Sequence, residues 1–568
     1  MGSLANLQTW QEKVSWARAR RDASLAKVEP RLNGIPEADH LPLSSQDLPK
    51  AALTAREIEI TEQYGITELL GLLRERKVTV EEVTRAFLRR AALAQAATNC
   101  LTELLWDQAI ERAKHLDSLP EPRGALFGLP ISTKEHHGMV GANVTTSASF
   151  VAWVGKAHSG PNLLYDTFWN EGCVFFARTT QPQTIMHLET ESNVYGRTVN
   201  PYNRDLTSGG SSGGESALLG MRGSILGVGG DIGGSIRCPA AHVGIYGFKS
   251  AEHQTRRHRW LPERRGRQRD HPGLPGPHDG GPRRAGALHE GGAGGEALAP
   301  GAVAHRQGVD PYKFTKPLKI AVQWWDGVVQ PHPPMMRALR EVADACRKAG
   351  MEVVDWDCEQ LDHRKAWDII SALYWPDGGK EVLGLIKESG EPILPLTKFI
   401  IEEQPTVKEL TQHELWKESE PQCLISLLPF VLTFSKLCVE RDEYRARYAQ
   451  AWSKTGNEGH REVDVILCPP SFGAATPHGQ SRYWGYTAQW NLLDYPAAVF
   501  PVTTVDPTHD AKDLDYAPKN DQDRFVYDVY SPERFSNAPV SLQVVGRRQE
   551  EEKVLAALAE IERAMGRK

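Results

Sequence analysis

The sequence lacks a long hydrophobic run. The longest mostly apolar stretch, residues 425–434, is interrupted by Ser426, Pro429 and Thr433, and it is too short to cross the ~30 Å hydrocarbon core of a bilayer. The N-terminal residues alternate charged and apolar side chains without a signal-peptide core, and Asn6 breaks the myristoylation pattern. We therefore expect no membrane association and a cytoplasmic location.

Cysteine is scarce, and neither sign of charge dominates. The 568 residues include eight cysteines, none of them in a Cys-x-x-Cys pair. In a chain of this length, that pattern favours reduced, buried thiols over a disulfide scaffold or a zinc site. The 66 basic and 72 acidic side chains give a formal charge of −6, so no overall charge attracts nucleic acid or an anionic membrane.

One segment lacks most of the residues that a core requires. Residues 251–308 contain no Ile, Phe, Tyr, Lys, Met, Cys, Asn or Ser, but they contain ten arginines and six histidines. We expect this composition to supply neither a core strand nor an amphipathic helix. A nucleic-acid patch over 256–269 is one interpretation. We favour a shifted reading frame, because residues 269–281, written with plausible codons and read one base later, become ETIPGFLGPMTAG, followed by a peptide with helical periodicity.

The hydrophobic pattern elsewhere predicts alternating strands and helices. Strands are predicted at 125–131, 173–177, 318–322, 351–356, 463–467 and 541–545. Helices are predicted at 335–349 and 551–565. This alternation predicts an α/β fold with a mixed or parallel sheet covered by helices on both faces. Residues 1–60 are polar and predict a helical N-terminal extension.

The most informative stretch is rich in glycine and serine and covers residues 207–249. GGSSGG alone is typical of a flexible linker, but here an apolar helix follows at once, and GGDIGGS follows within 40 residues. A phosphate-binding loop is excluded because no lysine follows Gly214, and a dinucleotide fingerprint from Gly227 fails at Ile232. A nucleophile elbow matches 209–213, but a polar loop precedes it instead of a strand, which leaves an α/β-hydrolase esterase as a weak alternative.

Three motifs, in this order, resemble those of the amidase signature family. They are GLPISTKE at 128–135, GGSSGGESAL at 209–218 and GGDIGGSIRCPAAHVGIYGFK at 229–249. The resemblance is strongest to fungal acetamidase-type members and covers roughly residues 50–250 and 310–565. It implies the amidase signature fold, with a catalytic domain over 61–568. It also implies a serine amidase that hydrolyses a small carboxamide to an acid and ammonia or an amine, without a metal or organic cofactor.

The resemblance also implies individual roles. Ser235 stands at the nucleophile position, Ser211 at the bridging serine, which family members hold on a cis peptide, and Lys134 at the base. Ile185, in QPQTIMHLE, falls where the family has a substrate-contacting residue. The backbone N–H groups that match the oxyanion hole belong to Ile232, Gly233, Gly234 and Ser235.

The chemistry explains why these residue types are required. A serine hydroxyl is a weak nucleophile and needs an adjacent base. A lysine serves as that base only when it is neutral, and each unit by which its pKa of ~10.4 is lowered corresponds to about 1.36 kcal/mol. The site must therefore bury Lys134 or place cations near it. Ser211 would pass the proton between Ser235 and Lys134, and Gly233 and Gly234 allow a tight turn that directs N–H groups at an oxyanion.

Other side chains near these motifs have structural interpretations. The histidines lack the spacing of a metal-binding helix and are predicted to be structural; they are His136, His137, His187 and His242. Asp231 and Arg237 flank the proposed nucleophile and predict a structural ion pair. Two further alternatives to an active amidase stay open: a protein impaired or inactivated by residues 251–308, and a glutamine-dependent amidotransferase subunit, which would require partner chains and tRNA. The sequence leaves the amide substrate and the oligomeric state, including a homodimer, undecided.

Overall fold

Strands from most of the chain form the centre of the molecule. The structure is a computed structural model that describes residues 7–137, 147–156, 163–251, 287–290, 312–409, 423–456 and 461–567, with the backbone alone at 163, 287–290 and 423–435. The strands of these residues are β1 (Leu101–Leu104), β2 (Pro130–Lys134), β3 (Val174–Thr179), β4 (Glu191–Ser192), β5 (Gly196–Arg197), β6 (Leu226–Gly229), β7 (Tyr246–Lys249), β8 (Ala287–Glu290), β9 (Lys319–Val322), β10 (Glu352–Asp355), β11 (Val465–Cys468), β12 (Ala497–Thr504) and β13 (Pro539–Val545).

The helices of the described residues pack around these strands. They are α1 (Trp10–Leu25), α2 (Leu48–Ala52), α3 (Ala55–Glu62), α4 (Ile66–Arg74), α5 (Val80–Thr98), α6 (Trp106–Ser118), α7 (Leu163–Asn170), α8 (Gly213–Gly220), α9 (Arg237–Val243), α10 (Pro333–Lys348), α11 (His363–Tyr374), α12 (Lys380–Ser389), α13 (Pro395–Ile401), α14 (Cys423–Lys454), α15 (Gly485–Leu493), α16 (Asp521–Val529) and α17 (Glu551–Ala564). None of the helices in the described ranges is both long enough and apolar enough to span a membrane.

One mixed sheet contains every described strand except the β4–β5 pair. The strand order is β1-β3-β2-β6-β8-β7-β12-β13-β11-β9-β10. The neighbours β3, β2 and β6 are parallel, as are β11, β9 and β10, whereas the other pairs are antiparallel. This arrangement confirms the predicted mixed α/β architecture.

Alternate residues of the central strands face different hydrophobic layers. In β11, Val465 and Leu467 pack in one core, with α10 and α17, and Ile466 and Cys468 pack in another, with α11 and α14. A strand that is buried on both faces is a continuous hydrophobic run, which explains the sequence VILC. Helices therefore cover the sheet on both faces, as predicted.

The strand predicted at 125–131 is wrong in its position. The structure begins this strand, β2, at Pro130 and continues it to Lys134. Residues 125–128 form turns instead: Gly128 has a φ of +75°, and its N–H donates to the Gly172 carbonyl at 2.8 Å. In such a turn, backbone N–H groups find hydrogen-bond acceptors outside the ladder between strands, so no strand is needed to satisfy them. Lys134 is consequently the last residue of a central strand. The other predicted strands and helices are confirmed, with ends that differ by two residues at most.

The expectation that residues 251–308 supply no core strand is also wrong. Strand β8 (Ala287–Glu290) lies in the sheet between β6 and β7 and pairs antiparallel with both. Strand pairing uses the backbone N–H and C=O groups that every residue except proline carries. These four residues contain neither proline nor glycine, so the composition of the surrounding segment did not prevent the pairing. The remainder of 252–311 lies outside the described residues.

Candidate active site

Lys134 lies at the end of β2, in the interior of the molecule. Its strand runs between the parallel strands β3 and β6, and its side chain is 1% exposed. The side-chain nitrogen Nζ donates a hydrogen bond of 2.6 Å to Ser211 Oγ, and Ser211 is also 1% exposed. The structure therefore brings together the predicted base and the predicted bridging serine, which are 77 positions apart in the chain.

Neighbouring residues hold the backbone around Ser211 in place. The Thr190 hydroxyl donates to the Gly209 carbonyl at 2.9 Å and accepts from the Gly213 N–H at 3.0 Å, and the Gly210–Ser211 peptide is cis. A nucleophile elbow would need a sheet strand directly before this turn. Leu206 and Thr207 instead form isolated β-bridges, to Pro477 and Val199 respectively. GGSSGG is therefore an ordered turn into α8 that positions Ser211, and not a linker.

Ser235 joins this arrangement through the backbone. The Ser212 N–H donates to the Ser235 carbonyl at 3.1 Å, so the two serine motifs are in direct contact. Ser235 is 4% exposed and lies two positions before α9 begins. The structure thus places the predicted nucleophile beside the residue that follows Ser211.

The loop that leads to Ser235 wraps around a buried ion pair, as the sequence predicts. Arg237 Nε and Asp231 Oδ2 are 2.9 Å apart, and both side chains are fully buried. Burial alone would raise the pKa of Asp231, but the charge and hydrogen bonds of Arg237, together with the Lys249 charge and the Asn491 hydrogen bond, outweigh it and hold that pKa well below its usual range. The Asp231 carboxylate also accepts the backbone N–H groups of Gly234 at 2.9 Å and Ile236 at 3.1 Å, so this anion fixes the course of the loop.

This arrangement changes the predicted oxyanion hole at one position. The Gly234 N–H was predicted to be one of four donors, but the Asp231 carboxylate already accepts it. Within the described residues, no hydrogen bond engages the N–H groups of Ile232, Gly233 or Ser235. These three N–H groups are therefore not committed to another acceptor in the described part of the chain.

Glycine is required in this loop for steric reasons. Gly234 has a φ of +133°, which residues with a side chain rarely adopt. A Cβ atom at Gly234 would lie 2.4 Å from Thr487 Oγ1, and one at Gly233 would lie 2.8 Å from the Tyr374 hydroxyl. The two glycines therefore allow α11 and α15 to approach the loop closely.

Ile185 lies in a loop with an unusual backbone. Thr184 and Ile185 have φ values of +63° and +67°, and a positive φ is a true outlier for a β-branched residue. The Thr184 N–H donates to the Ser149 carbonyl at 3.2 Å, and Ile185 is 8% exposed. Strained backbone of this kind is concentrated at functional sites, which is consistent with a substrate-contacting position.

Sequence reasoning missed Glu215, which follows directly after GGSSGG. Its carboxylate is fully buried, is bonded to the Ser132 hydroxyl, and accepts from Thr179 Oγ1 at 2.5 Å. Ser132 lies two positions before Lys134 in β2, and Thr179 is directly opposite Lys134 in β3. Burial raises the pKa of Glu215 to about 7, against the opposing effects of the Ser132 and Thr179 hydrogen bonds and of the Lys134 charge.

The histidines near the site have structural contacts. His136 Nδ1 lies 2.6 Å from Gln181 Oε1, and His187 Nε2 lies 2.8 Å from Thr397 Oγ1. Burial lowers the pKa of His187 to about 3 and that of His242 to about 4. The ring of His137 packs on that of His136 with centroids 4.0 Å apart. Among the described side chains, no three of the types His, Cys, Asp and Glu are grouped as metal ligands would be.

Comparison with known proteins identifies the family. The profile of the family described as Amidase matches residues 82–271 and 302–555. The chain belongs to the amidase family. Its members hydrolyse amide C–N bonds, so the protein is an amidase-type hydrolase. The internal residues that the profile leaves unmatched, 272–301, lie within the compositionally unusual segment 251–308.

Relatives of this amidase include several fungal proteins. A Schizosaccharomyces pombe protein provisionally named as an amidase is 40% identical over 97% of this chain and 98% of its own. An acetamidase from Emericella nidulans is 34% identical over 98% of this chain and 99% of its own. The solved structure of a fatty acid amide hydrolase is 28% identical, with a TM-score of 0.81, over 98% of this chain and 95% of that one. These similarities confirm the amidase signature fold and the resemblance to fungal members.

Proposed function

We propose that this amidase hydrolyses a small carboxamide through an acyl-enzyme formed on Ser235, with Ser211 and Lys134 as the proton path. The observation that carries the proposal is the 2.6 Å hydrogen bond between Lys134 Nζ and Ser211 Oγ, two residues that are each 1% exposed. Burial disfavours an ammonium ion and so favours the neutral amine that a base must be. The contact between Ser212 and Ser235 supports the third member of the triad.

The first half-reaction forms the ester. Neutral Lys134 accepts the Ser211 proton, Ser211 takes the proton of Ser235 Oγ, and that oxygen attacks the amide carbon. The N–H groups of Ile232, Gly233 and Ser235 stabilise the negative oxygen of the tetrahedral intermediate. The proton returns through Ser211 to the leaving nitrogen, the C–N bond breaks, and ammonia or an amine departs.

The second half-reaction releases the acid. A water molecule gives its proton to Ser211, and through it to Lys134, as its oxygen attacks the acyl carbon. The ester bond to Ser235 then breaks, and the proton returns to Ser235 Oγ. The enzyme is restored, and the carboxylic acid leaves.

The relatives and the backbone at Ile185 support a proposal for the substrate class. The name of the Emericella nidulans relative, an acetamidase, supports a short aliphatic amide. We propose that Ile185 contacts the substrate, because it is buried and held in a conformation that its side chain disfavours. A screen of short aliphatic, aromatic and indole amides identifies the preferred acyl group.

Replacement of the base tests the proposal. Lys134→Met removes the amine but keeps an unbranched apolar stem, and we expect kcat for the best amide to fall by about 10²–10⁴-fold, the usual contribution of a general base. Lys319→Met is the control, because Lys319 is equally buried at 3% exposed but its Nζ donates to the Arg461 carbonyl at 2.7 Å, away from the serines. Wild-type turnover by Lys134→Met, with the control unaffected, would contradict the proposal.

A further inference from the structure

Two helices far away in the sequence hold the loop that leads to Ser235. Tyr374, the last residue of α11, donates its hydroxyl to the Ile232 carbonyl at 2.6 Å. Thr487 of α15 donates Oγ1 to the next carbonyl, that of Gly233, at 2.7 Å. The side chains of α11 and α15 therefore fix two successive carbonyls of this loop.

A third contact comes from the same face of α15. Asn491 Nδ2 donates to the Asp231 carbonyl at 3.3 Å and to Asp231 Oδ1 at 3.0 Å. Asn491 and Thr487 are four positions apart, so they project from one side of the helix. Three consecutive carbonyls, from 231 to 233, are thus held on the side that faces α11 and α15.

The direction of each carbonyl determines the direction of an N–H group. In a trans peptide, the C=O and the N–H point in opposite directions. The Gly233 carbonyl is held by Thr487, and the N–H of the same peptide, that of Gly234, points away to Asp231 Oδ1. By the same geometry, the Tyr374 hydroxyl on the Ile232 carbonyl directs the Gly233 N–H away from α11.

The peptide between Ile232 and Gly233 lies tightly against its anchor. A Cβ atom at Gly233 would lie 2.8 Å from the Tyr374 hydroxyl and 3.0 Å from the Trp484 ring. Within the described residues, the Ile232 carbonyl has no hydrogen-bond donor besides Tyr374. Among the described residues, the Tyr374 hydroxyl is therefore the anchor of this carbonyl.

We propose that Tyr374 is a positioning residue for the amidase reaction: its hydroxyl holds the Ile232–Gly233 peptide so that the Gly233 N–H faces the oxyanion. This inference rests on the proposed function. Without the hydroxyl, the Ile232 carbonyl loses its anchor and the peptide can rotate, so the donor is weakened when negative charge develops on the substrate oxygen. Loss of the hydroxyl therefore reduces stabilisation of the transition state and leaves the affinity for the substrate unchanged.

The rate at which a fluorophosphonate labels Ser235 measures this effect without knowledge of the substrate, since the phosphonyl oxygen needs the same donors. Loss of a complete oxyanion donor reduces rates by about 10²–10³-fold, so we expect Tyr374→Phe to label at least about tenfold more slowly. Tyr530→Phe is the matched control, because the Tyr530 hydroxyl also bonds a backbone carbonyl, that of Asp510 at 2.6 Å. We expect it to label within about twofold of wild type.

A second pair of variants distinguishes positioning from damage to the fold. Thr487→Val frees only the adjoining peptide of the same loop, so it should slow labelling by less than Tyr374→Phe, and Thr487→Ser, which keeps the hydroxyl, should label at the wild-type rate. With the preferred amide, Tyr374→Phe should lower kcat and leave KM unchanged. A wild-type labelling rate for folded Tyr374→Phe, or a change in KM alone, would overturn the inference. Absence of any Ser235 label in folded wild-type protein would instead overturn the proposed function and the inference with it.

Discussion

At the residue scale, one buried titratable group beside the proposed triad is the Glu215 carboxyl. It lies among the hydroxyls that flank Lys134 and is shielded from water. In the unfolded chain, a glutamate ionises near pH 4.5, whereas burial raises the pKa of Glu215 to about 7 in the folded protein. Between these values the folded protein binds the proton more tightly, so Glu215 contributes stability at low pH that is lost as the pH rises through about 7.

Glu215→Gln should remove this pH dependence. The amide can still bond the Ser132 and Thr179 hydroxyls, but it does not ionise. We expect the wild type to lose stability relative to Glu215→Gln between pH 5 and pH 8 by up to about 3 kcal/mol, since one pKa unit corresponds to about 1.36 kcal/mol. Thermal unfolding midpoints of both proteins across that range measure the difference. A difference in unfolding midpoint between the two proteins that stays constant with pH would show that Glu215 does not titrate in this pH range.

The residues of the site were predictable to different degrees. Roles for Lys134, Ser211 and Ser235 could be proposed from motifs, because the chemistry requires particular residue types within short strings of sequence. Tyr374 and Thr487 could not, since they lie 142 and 254 positions from their partners in the loop. A hydroxyl that anchors a carbonyl leaves no local pattern in the sequence.

At the scale of elements, the glycine-serine turn is fixed by close approach of the backbone. A Cβ atom at Gly210 would lie 2.5 Å from the Glu189 carbonyl oxygen and 2.6 Å from that of His187. Both contacts are backbone atoms of the adjoining loop, so neither can move aside as a flexible side chain could. The turn and this loop must therefore shift together to admit any side chain.

Gly210→Ala should for this reason disrupt the turn. We expect a loss of about 1–3 kcal/mol in unfolding free energy, the usual range for overpacking, and slower Ser235 labelling. Gly71→Ala is the control: Gly71 lies inside α4, with open space where its Cβ would be, and the change should stabilise the protein by about 0.5–1 kcal/mol. Equal melting temperatures for the two variants would contradict this account.

The misplaced strand near Lys134 shows why element boundaries escape sequence reasoning. Residues 125–131 are apolar, and the pattern favours a strand throughout. The turn at Gly128 depends on a hydrogen bond to Gly172, a partner that is distant in the sequence. Apolar composition predicted burial correctly but could not identify which buried residues pair in the sheet.

At the scale of the whole molecule, the central sheet includes a strand from residues 251–308, the segment with the unusual composition. Strand β8 occupies a position between β6 and β7, although the family profile does not match 272–301. The fold therefore has a strand within a stretch of sequence that the family profile does not match. A local shift of reading frame would produce this combination. The shift itself stays a prediction.

Sequencing the gene across codons 245–312 tests that prediction. We expect a compensated shift of one base that restores apolar residues with helical periodicity after position 281. An uninterrupted present frame, supported by independent reads, would contradict it. In that case the fluorophosphonate reactivity of the chain as written decides whether the segment impairs the enzyme.

The central claim is that Lys134, Ser211 and Ser235 act as one chemical unit. Mass-spectrometric mapping of the fluorophosphonate adduct on the wild-type protein tests it most directly. The account predicts an adduct on Ser235 alone, formed slowly in Lys134→Met and absent in Ser235→Ala. An adduct on Ser211, or labelling that persists in Ser235→Ala, would contradict it.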